Sequence, residues 1–494
     1  MSNAGGIGLR RLEYKWLVGI TFVLGLIMQI LDVTILNVAL ATLGREFGVT
    51  AATLQWVLTA YMISLAMFIP SSGWISDRFG SKRTFLFAVV TFTLASMLCG
   101  ASQSIGMLIA ARFLQGVGGG MLVPVGQAML FRAFPPHERA KASAVLSIPI
   151  TVAPALGPVL GGVLVQFASW RWIFFINVPV GVVAVVFTVL FLREEVREHP
   201  GRFDLPGFLL AGSGLAALLF GLDHGSQTGW TNAPVLAGLV LAVLLLGGLV
   251  WRELAVSEPI LDVRLLGGRL FGTGNALLLC MTVAMFGLLF LLPLYLQNLR
   301  GVSPMTAGLV LMPQAVAMLL AVQVSSRVYG RVGPRRLIIS GAVVFVLVAA
   351  SMQFIGPDTS IWEVAARLVV LGLALGTFMN PLQTATFTQV PSELMGHASS
   401  LFNVSRQTAT ALGTAVVATV LVTLSSSAMA GVNPAVPGAV AAAQLSAYHG
   451  AFLVAVVFGL VGLLLATRVR DSDAAASLDS RHRMLRETSR TAVR

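Results

Sequence analysis

The chain has 494 residues, 56% of them apolar and 11% charged, with a net charge of +12. Soluble domains carry about a quarter charged residues, so this composition excludes an ordinary water-soluble globule and builds a polytopic, all-α membrane protein. The basic excess sits in short turns and the tail rather than on a face interleaved with aromatics, which excludes a nucleic-acid surface.

The first apolar run, Trp16 to about Ala41, is too long for the apolar core of a signal peptide and lacks a small-residue cleavage site, so it is expected to remain as the first span. Runs of membrane length then centre near Leu26, Ala60, Thr93, Gly119, Ala153, Val183, Gly214, Leu241, Ala284, Ala317, Phe345, Leu373, Val416 and Gly459. The expected layout is six spans, two inserted spans and six more. Alternate connections carry most of the cations, for example Arg10, Arg11 and Lys15, then Arg78, Lys82 and Arg83, then Arg331, Arg335 and Arg336, whereas the opposite connections hold only Arg45, Arg171 and Arg300. The positive-inside rule therefore puts both termini in the cytoplasm. Cys99 and Cys280 lie inside apolar runs and indicate neither a disulfide framework nor a metal cluster.

One polar stretch interrupts the apolar runs more strongly than any other: Gly73-Trp-Ile-Ser-Asp77-Arg78-Phe-Gly80-Ser-Lys-Arg83. Asp77 has the wrong sign for an orientation signal and is expected to face a helix N-terminus or a neighbouring Arg. The stretch resembles the loop between spans 2 and 3 of the major facilitator superfamily. It recurs as Gly330-Arg331-Val332-Gly333-Pro334-Arg335-Arg336, roughly 250 residues on, with Gly in place of the Asp. Ala111-Arg112-Phe113 with Gly116 and Gly120 recurs as Ala366-Arg367-Leu368 with Gly372 and Gly376. Two homologous halves follow. The resemblance implies two six-helix bundles related by pseudo-twofold symmetry, with two additional central helices. The expected boundaries are 1–193 for the N-terminal bundle, 194–206 for a cytoplasmic linker forming a surface helix, 207–255 for the inserted pair, 256–470 for the C-terminal bundle and 471–494 for a disordered tail. Residues 425–447 read as the longest outer loop.

Charges inside the spans carry the chemistry. Asp32 lies about two-thirds of the way through the first span, where an ionised carboxylate costs on the order of 3 kcal/mol and taking up a proton removes that cost. The run Leu31-Asp32-Val33-Thr34-Ile35-Leu36-Asn37 resembles the first-span signature of the drug:proton antiporter-2 family, the fourteen-helix branch of the superfamily, whose Asp is tied to proton coupling. Arg112, in Ala111-Arg112-Phe113-Leu114-Gln115-Gly116, keeps its charge under ordinary conditions and needs an acceptor. In the family this Arg is thought to bias proton transfer at a nearby acid; as a purely structural residue it would brace backbone carbonyls. Arg367 reads as structural. Gly157-Pro158 with Gly161-Gly162, after Pro149 and Pro154, matches the fifth-span motif of superfamily antiporters, although prolines in membrane helices also serve as plain kinks. Trp170-Arg171-Trp172 through Asn177-Val178-Pro179 resembles the start of the sixth span, with both Trp residues read as interfacial anchors.

The resemblance implies a substrate path along spans 1, 2, 4 and 5 and their second-half counterparts. Candidate binding residues are Gln29, Tyr61 and Gln115 in the first half, and Met285, Phe286, Phe290, Asn380, Gln383, Asn403 and Gln407 in the second, with Met121, Gln127, Asn275, Met281, Tyr295, Gln314 and Met318 as further polar or adaptable positions. Gly73, Asp77, Arg78, Gly80, Arg83, Gly157, Pro158, Gly161 and Gly162 are the expected gating residues, and Asp32 with Arg112 the expected proton-coupling pair. The sequence then reads as an exporter of lipophilic drugs or other amphipathic molecules, monomeric, in contact with membrane lipid, in the cytoplasmic membrane, with no metal or cofactor beyond the proton as coupling ion. No Gly-x-x-x-x-Gly-Lys-[Ser/Thr] loop points to ATP. Alternatives are an exporter of lipid or cell-envelope precursors on the same scaffold, and a proton-linked uptake symporter, against which the fifth-span motif argues. A membrane enzyme lacks a Ser/His or two-carboxylate constellation. Asn in place of Asp32, isosteric with the neutral acid, is expected to preserve folding.

Overall fold

The computed structural model describes residues 13–194, 201–430, 432 and 438–478, and among them there is no strand. A backbone crossing hydrocarbon has no water to bond its N–H and C=O groups, so each helix satisfies them internally. The helices are α1 (Tyr14–Phe47), α2 (Ala51–Phe68), α3 (Ser72–Phe79), α4 (Ser81–Gly100), α5 (Ile105–Ala133), α6 (Arg139–Phe167), α7 (Trp172–Phe175), α8 (Asn177–Phe191), α9 (Leu205–Thr228), α10 (Ala233–Ala255), α11 (Arg269–Leu294), α12 (Pro304–Val332), α13 (Pro334–Ser351), α14 (Ile361–Thr386), α15 (Met395–Met429) and α16 (Ala439–Ala466). Among the described residues 12 helices are long and apolar enough to cross a membrane, or 13 with the pair Thr53–Phe68 and Ser72–Phe79, which bends by 55°. The expected fourteenth would be α6, several of whose side chains, Pro154 and Pro158 among them, lie outside the described set.

The described residues fall into two compact units, one drawn from Met1–Gly212, Ala255–Asp262 and Pro391–Asn403, the other from Ser213–Leu254, Val263–Val390 and Val404–Arg494. Within the first, α5 packs on α2 and α4, and α8 on α4 and α1. Within the second, α14 packs on α12 and α13, and α16 on α13 and α11, which is the same pairing scheme. Glycine makes the equivalent crossings possible. A Cβ on Gly116 would lie 2.6 Å from Ser64 Cβ and 2.7 Å from the Tyr61 carbonyl oxygen, and one on Gly372 would lie 2.2 Å from the Gln314 carbonyl oxygen. Small residues let membrane helices meet backbone to backbone. The repeated glycines of the sequence are these contacts.

Four expectations are corrected. Leu192–Glu194 and the described residues 201–204 of the linker are not helical, and its residues 195–200 lie outside the described set. The segment 425–447 is mostly helix, because Ser425–Met429 continues α15 and the Ala-rich stretch from Ala439 starts α16; residues 431 and 433–437 lie outside the described set. The first part of the tail is ordered and held by polar contacts: Asp473 Oδ2 lies 3.5 Å from Arg269 Nε, and Ser477 Oγ is 3.0 Å from the Tyr329 hydroxyl. Only residues 479–494 of the expected disordered tail lie outside the described set. Trp170 is 2% exposed and donates to Glu46 Oε2 at 2.6 Å, so it is a core residue, whereas Trp172 is exposed as an interfacial anchor would be.

Candidate functional site

The deepest polar cluster forms where α1, α5 and α8 meet. Asp32 of α1 and Arg112 of α5 are both fully buried, with Arg112 Nη1 2.5 Å from Asp32 Oδ2. Burying either charge alone would be prohibitive, and the pair is tolerable only because further hydrogen bonds complete it. Gln115, one turn along α5 from Arg112, supplies two of them: its Nε2 donates to Asp32 Oδ1 at 2.7 Å, and its Oε1 accepts from Arg112 Nη1 at 2.7 Å. Asn177, the first residue of α8, donates from Nδ2 to Asp32 Oδ1 at 3.2 Å and to Ser96 Oγ at 3.0 Å. Ser96 in turn donates to the Phe174 carbonyl at 2.9 Å, which fixes the hydroxyl so that its lone pairs face Asn177.

Three N–H donors thus converge on one carboxylate. Arg112 also donates from Nε to the Val57 carbonyl at 3.1 Å, and its guanidinium lies 4.3 Å above the Tyr61 ring. The arrangement suits the ionised acid, since every contact to Asp32 is a donor. A proton arriving on Asp32 replaces an acceptor oxygen by an O–H donor and breaks the match with at least one neighbour. The Asn37 side chain, named from sequence as a stabiliser, lies outside the described set; Gln115 and Asn177 fill that role.

Gln29 lies one turn before Asp32 on α1. Its Nε2 reaches the Gly119 carbonyl at 3.4 Å, and its amide lies against the buried Tyr61 hydroxyl. These groups sit beside the ion pair and can bond a polar group or water. Among the second-half candidates, Met285 and Phe286 are half-buried and Phe290 is exposed. Asn380 is buried with neither amide atom hydrogen-bonded among the described residues, Gln383 and Gln407 are half-buried, and Asn403 donates to Gln127 Oε1 at 2.7 Å. Tyr295 is spent on the connection before α14, donating to the Gly356 carbonyl at 2.8 Å.

The paired loops form a second cluster in each unit. In the first, Asp77 Oδ1 accepts from Arg132 Nη2 at 2.9 Å, and the same Arg132 donates to Ser81 Oγ at 3.0 Å and to the Ser392 carbonyl at 3.1 Å. Gly73 meets the start of α15: a Cβ there would lie 2.9 Å from the Gly396 carbonyl carbon. Ser72 Oγ is 2.8 Å from Ser400 Oγ, and His397 Nε2 is 3.8 Å from Asp77 Oδ2. Gly80 turns the chain at φ 95° into α4, and Glu194, just beyond α8, caps that helix by accepting from the Lys82 N–H at 3.1 Å while lying 3.5 Å from Arg83 Nε. The second unit repeats the device. Gly333 turns at φ 86°, and Asp471, just beyond α16, accepts from the Arg335 N–H at 3.0 Å. Arg78 is exposed.

In α6, a Cβ on Gly157 would lie 2.2 Å from Thr34 Oγ1, which brings α6 hard against α1 two residues from Asp32. Gly161 is buried and Gly162 faces open space; the Pro158 side chain is outside the described set. Arg367, read from sequence as structural, lies 3.5 Å from Glu363.

Sequence reasoning missed Asn177, Arg132, Glu194, His397 and Arg406. Asn177 lies inside a motif read mainly for its aromatics, Arg132 reads from sequence only as an orientation charge, and Glu194 only as one of the charges of the linker. Arg406, inside an otherwise apolar run, was open to the same search that found Asp32.

A sequence profile of the Major Facilitator Superfamily matches residues 22–414. The chain is 34% identical over 415 residues to a protein of Mycobacterium tuberculosis named multidrug resistance protein B homolog, covering 81% of this chain and 75% of that one. It is 34% identical over 393 residues to the putative multidrug resistance protein MdtD of Serratia proteamaculans, covering 79% and 82%. The uncharacterized MFS-type transporter YhcA of Bacillus subtilis is 32% identical over 401 residues, covering 81% and 75%. Among solved structures, the human organic anion transporter MFSD10 superposes with a TM-score of 0.62 at 16% identity, over 92% of this chain and 99% of that one, and the proton:xylose symporter XylE with 0.59 at 15%, over 92% and 94%. At that identity the likeness is one of fold.

Proposed function

Because the chain belongs to the Major Facilitator Superfamily, a family of transporters rather than enzymes, we propose that it is a proton-driven exporter of lipophilic or amphipathic small molecules, of the drug:proton antiporter-2 kind. It works in the cytoplasmic membrane with both termini inside, and relatives bearing multidrug-resistance names support the drug-like substrate class. The observation that carries the proton coupling is Asp32, a fully buried carboxylate whose three contacts are all N–H donors.

In this reading Asp32 takes a proton from outside, which frees Arg112 and Gln115 from one acceptor and loosens α5 and α8 around α1. The proton leaves toward the cytoplasm when water reaches the ion pair. Gln29 and Tyr61, polar groups beside that pair, hold the polar part of the substrate. Opening toward the cytoplasm has to break the Asp77–Arg132 pair and the Gly73–Gly396 contact, so these set the relative populations of the closed and open states. Gly157 keeps α6 close to α1 so that movement of one is felt by the other.

Inverted membrane vesicles with an imposed pH gradient test the proposal. Substrate is expected to accumulate in the lumen of inverted vesicles whose interior is acid, and collapse of the gradient is expected to release it. Movement out of such vesicles, in the same direction as the protons, would make the protein a symporter.

A further inference from the structure

The two copies of the repeated loop use their cations differently. In the first, Lys82 Nζ donates to the Val189 carbonyl at 2.8 Å and Arg83 Nε lies 3.5 Å from Glu194 Oε2, so both side chains are engaged by the end of α8 and the residues after it. Their counterparts in the second are Arg335 and Arg336. Both are exposed, and neither guanidinium makes an ion pair among the described residues. The chain leaving α16 brings two more cations to the same place. Asp471 accepts from the Arg335 N–H at 3.0 Å, and Arg470 and Arg468 precede it by one and three residues, also exposed and without an ion pair among the described residues. Asp471 already caps α13, and Asp473, the next acid, lies 3.5 Å from Arg269. The corner formed by this turn and the end of α16 is therefore strongly positive.

The corner continues into two exposed helix faces. On α13, Arg336, Ser340, Val343 and Leu347 recur every three or four residues, and all four are exposed. On α16 the exposed Leu453, Val457, Leu460 and Leu464 run down toward Arg468 at the same spacing. The two helices are neighbours: a Cβ on Gly459 would lie 3.0 Å from Val346 Cγ2 and 3.3 Å from the Phe345 ring. From Arg336 to Leu347 the face runs about 16 Å at 1.5 Å per residue. That is close to one leaflet, half of a hydrocarbon core about 30 Å thick. In a chain that crosses a membrane, such apolar faces meet acyl chains, and the arginines at their ends stand at the level of the head groups.

We propose that this corner binds an anionic phospholipid, with its head phosphate held by Arg336 and Arg468, Arg335 and Arg470 beside it, and its acyl chains along the exposed faces of α13 and α16. A guanidinium offers paired N–H donors that match two phosphate oxygens. A zwitterionic head brings its own cation into the field of four arginines and is disfavoured. A soluble phosphate has the charge but forgoes the apolar contact. An orientation signal needs positive charge on one side and no particular lipid, so lipid selectivity separates the two roles. The inference is independent of what is exported and of how export is energised.

The test titrates the purified full-length protein, in maltoside micelles, with dioleoylphosphatidylglycerol, dioleoylphosphatidylcholine or glycerol phosphate, and counts bound molecules by native mass spectrometry. Phosphatidylglycerol is expected to bind about tenfold more tightly than phosphatidylcholine, the scale of one or two basic residues at an anionic head. Glycerol phosphate, a similar head without tails, is expected not to displace it. Arg336→Gln combined with Arg468→Gln should remove the preference, and the corresponding pair of Lys substitutions should keep most of it. Arg45→Gln, which removes an exposed cation near the other end of the first span, should leave it unchanged. Equal binding of the two lipids, or a preference that survives the paired Gln substitutions, overturns the assignment. So does a preference lost equally in Arg45→Gln, which would report net charge alone, or displacement by glycerol phosphate, which would make this a site for a soluble anion. The comparison of lipids on the unmodified protein stands even if a variant fails to fold.

Discussion

Asp32→Asn changes two things at once in the buried cluster. The neutral side chain leaves the Arg112 charge, which is wholly buried, without the carboxylate 2.5 Å away. It also puts an NH2 group where Asp32 had an oxygen, so at least one of the donors from Arg112, Gln115 and Asn177 faces another donor. Removing one partner of a buried pair costs about 3–5 kcal/mol, and the compensating contacts of Arg112 with the Val57 carbonyl and the Tyr61 ring place the expectation at the lower end, about 3 kcal/mol. Asn was expected from sequence to preserve folding because it is isosteric with the neutral acid, but the structure ties it to an arginine that stays charged. Thermal unfolding of the purified variant measures the loss, and adding Arg112→Gln in the same chain should recover part of it by removing the orphaned charge. Proton-driven transport in proteoliposomes should be lost in both variants. If Asp32→Asn unfolds at the same temperature as the parent and still moves substrate uphill on a pH gradient, the cluster is neither the structural pivot nor the proton site.

Gly372→Ala should cost about 2 kcal/mol, within the usual range for overpacking, because its Cβ would press on the Gln314 carbonyl oxygen at 2.2 Å; Gly162→Ala, facing open space, should be silent in the same unfolding measurement. Glu138 accepts from Lys15 Nζ at 2.6 Å, and that hydrogen bond holds its carboxyl below the ordinary value of 4.5. Its contribution is complete above that value and fades as the pH falls below it, so Glu138→Gln should reduce the difference in stability between neutral and acid pH, read by unfolding at each. Single cysteines at 78 and 331, both exposed positions, should react with an impermeant thiol reagent in inverted vesicles and not in intact cells, with Cys99 and Cys280 buried and silent. Labelling of either from outside intact cells contradicts the proposed orientation.

What the sequence revealed was whatever breaks an apolar background. The Asp77 loop, its repeat at Arg331 and the charges at 32 and 112 stand out because a polar residue in hydrocarbon needs a reason, and the duplicated glycines stand out because two helices must cross in each half. Partners were harder to read. Asn177 is polar but uncharged and lies 145 residues from Asp32, a separation no local pattern reports. Glu194 was visible only as one charge among several in a linker, and its task depends on where the chain before it ends. Trp170 followed the statistics of membrane interfaces until the Glu46 carboxylate gave its N–H a buried partner. Residues 425–447 read as a loop through Pro434, Pro437 and many Ala and Gly, but the Ala residues support a helix from Ala439 on, where α16 begins.

The two carboxylates that cap the loop helices, Glu194 and Asp471, also carry a message about biogenesis. Each follows the last helix of its own half in the chain, yet fastens the turn between that half's second and third membrane-spanning segments. A ribosome delivers those turns long before it delivers the acid. Each half is therefore inserted with its turn unlatched, and the latch closes only once the final helix of that half has been threaded, the first with Glu194 after α8 and the second with Asp471 after α16. A nascent chain arrested, or a tag fused, just short of Asp471 would leave the second half fully threaded but unfastened. Membrane quality-control proteases, which act on segments that open, would meet the two halves at different stages of closure.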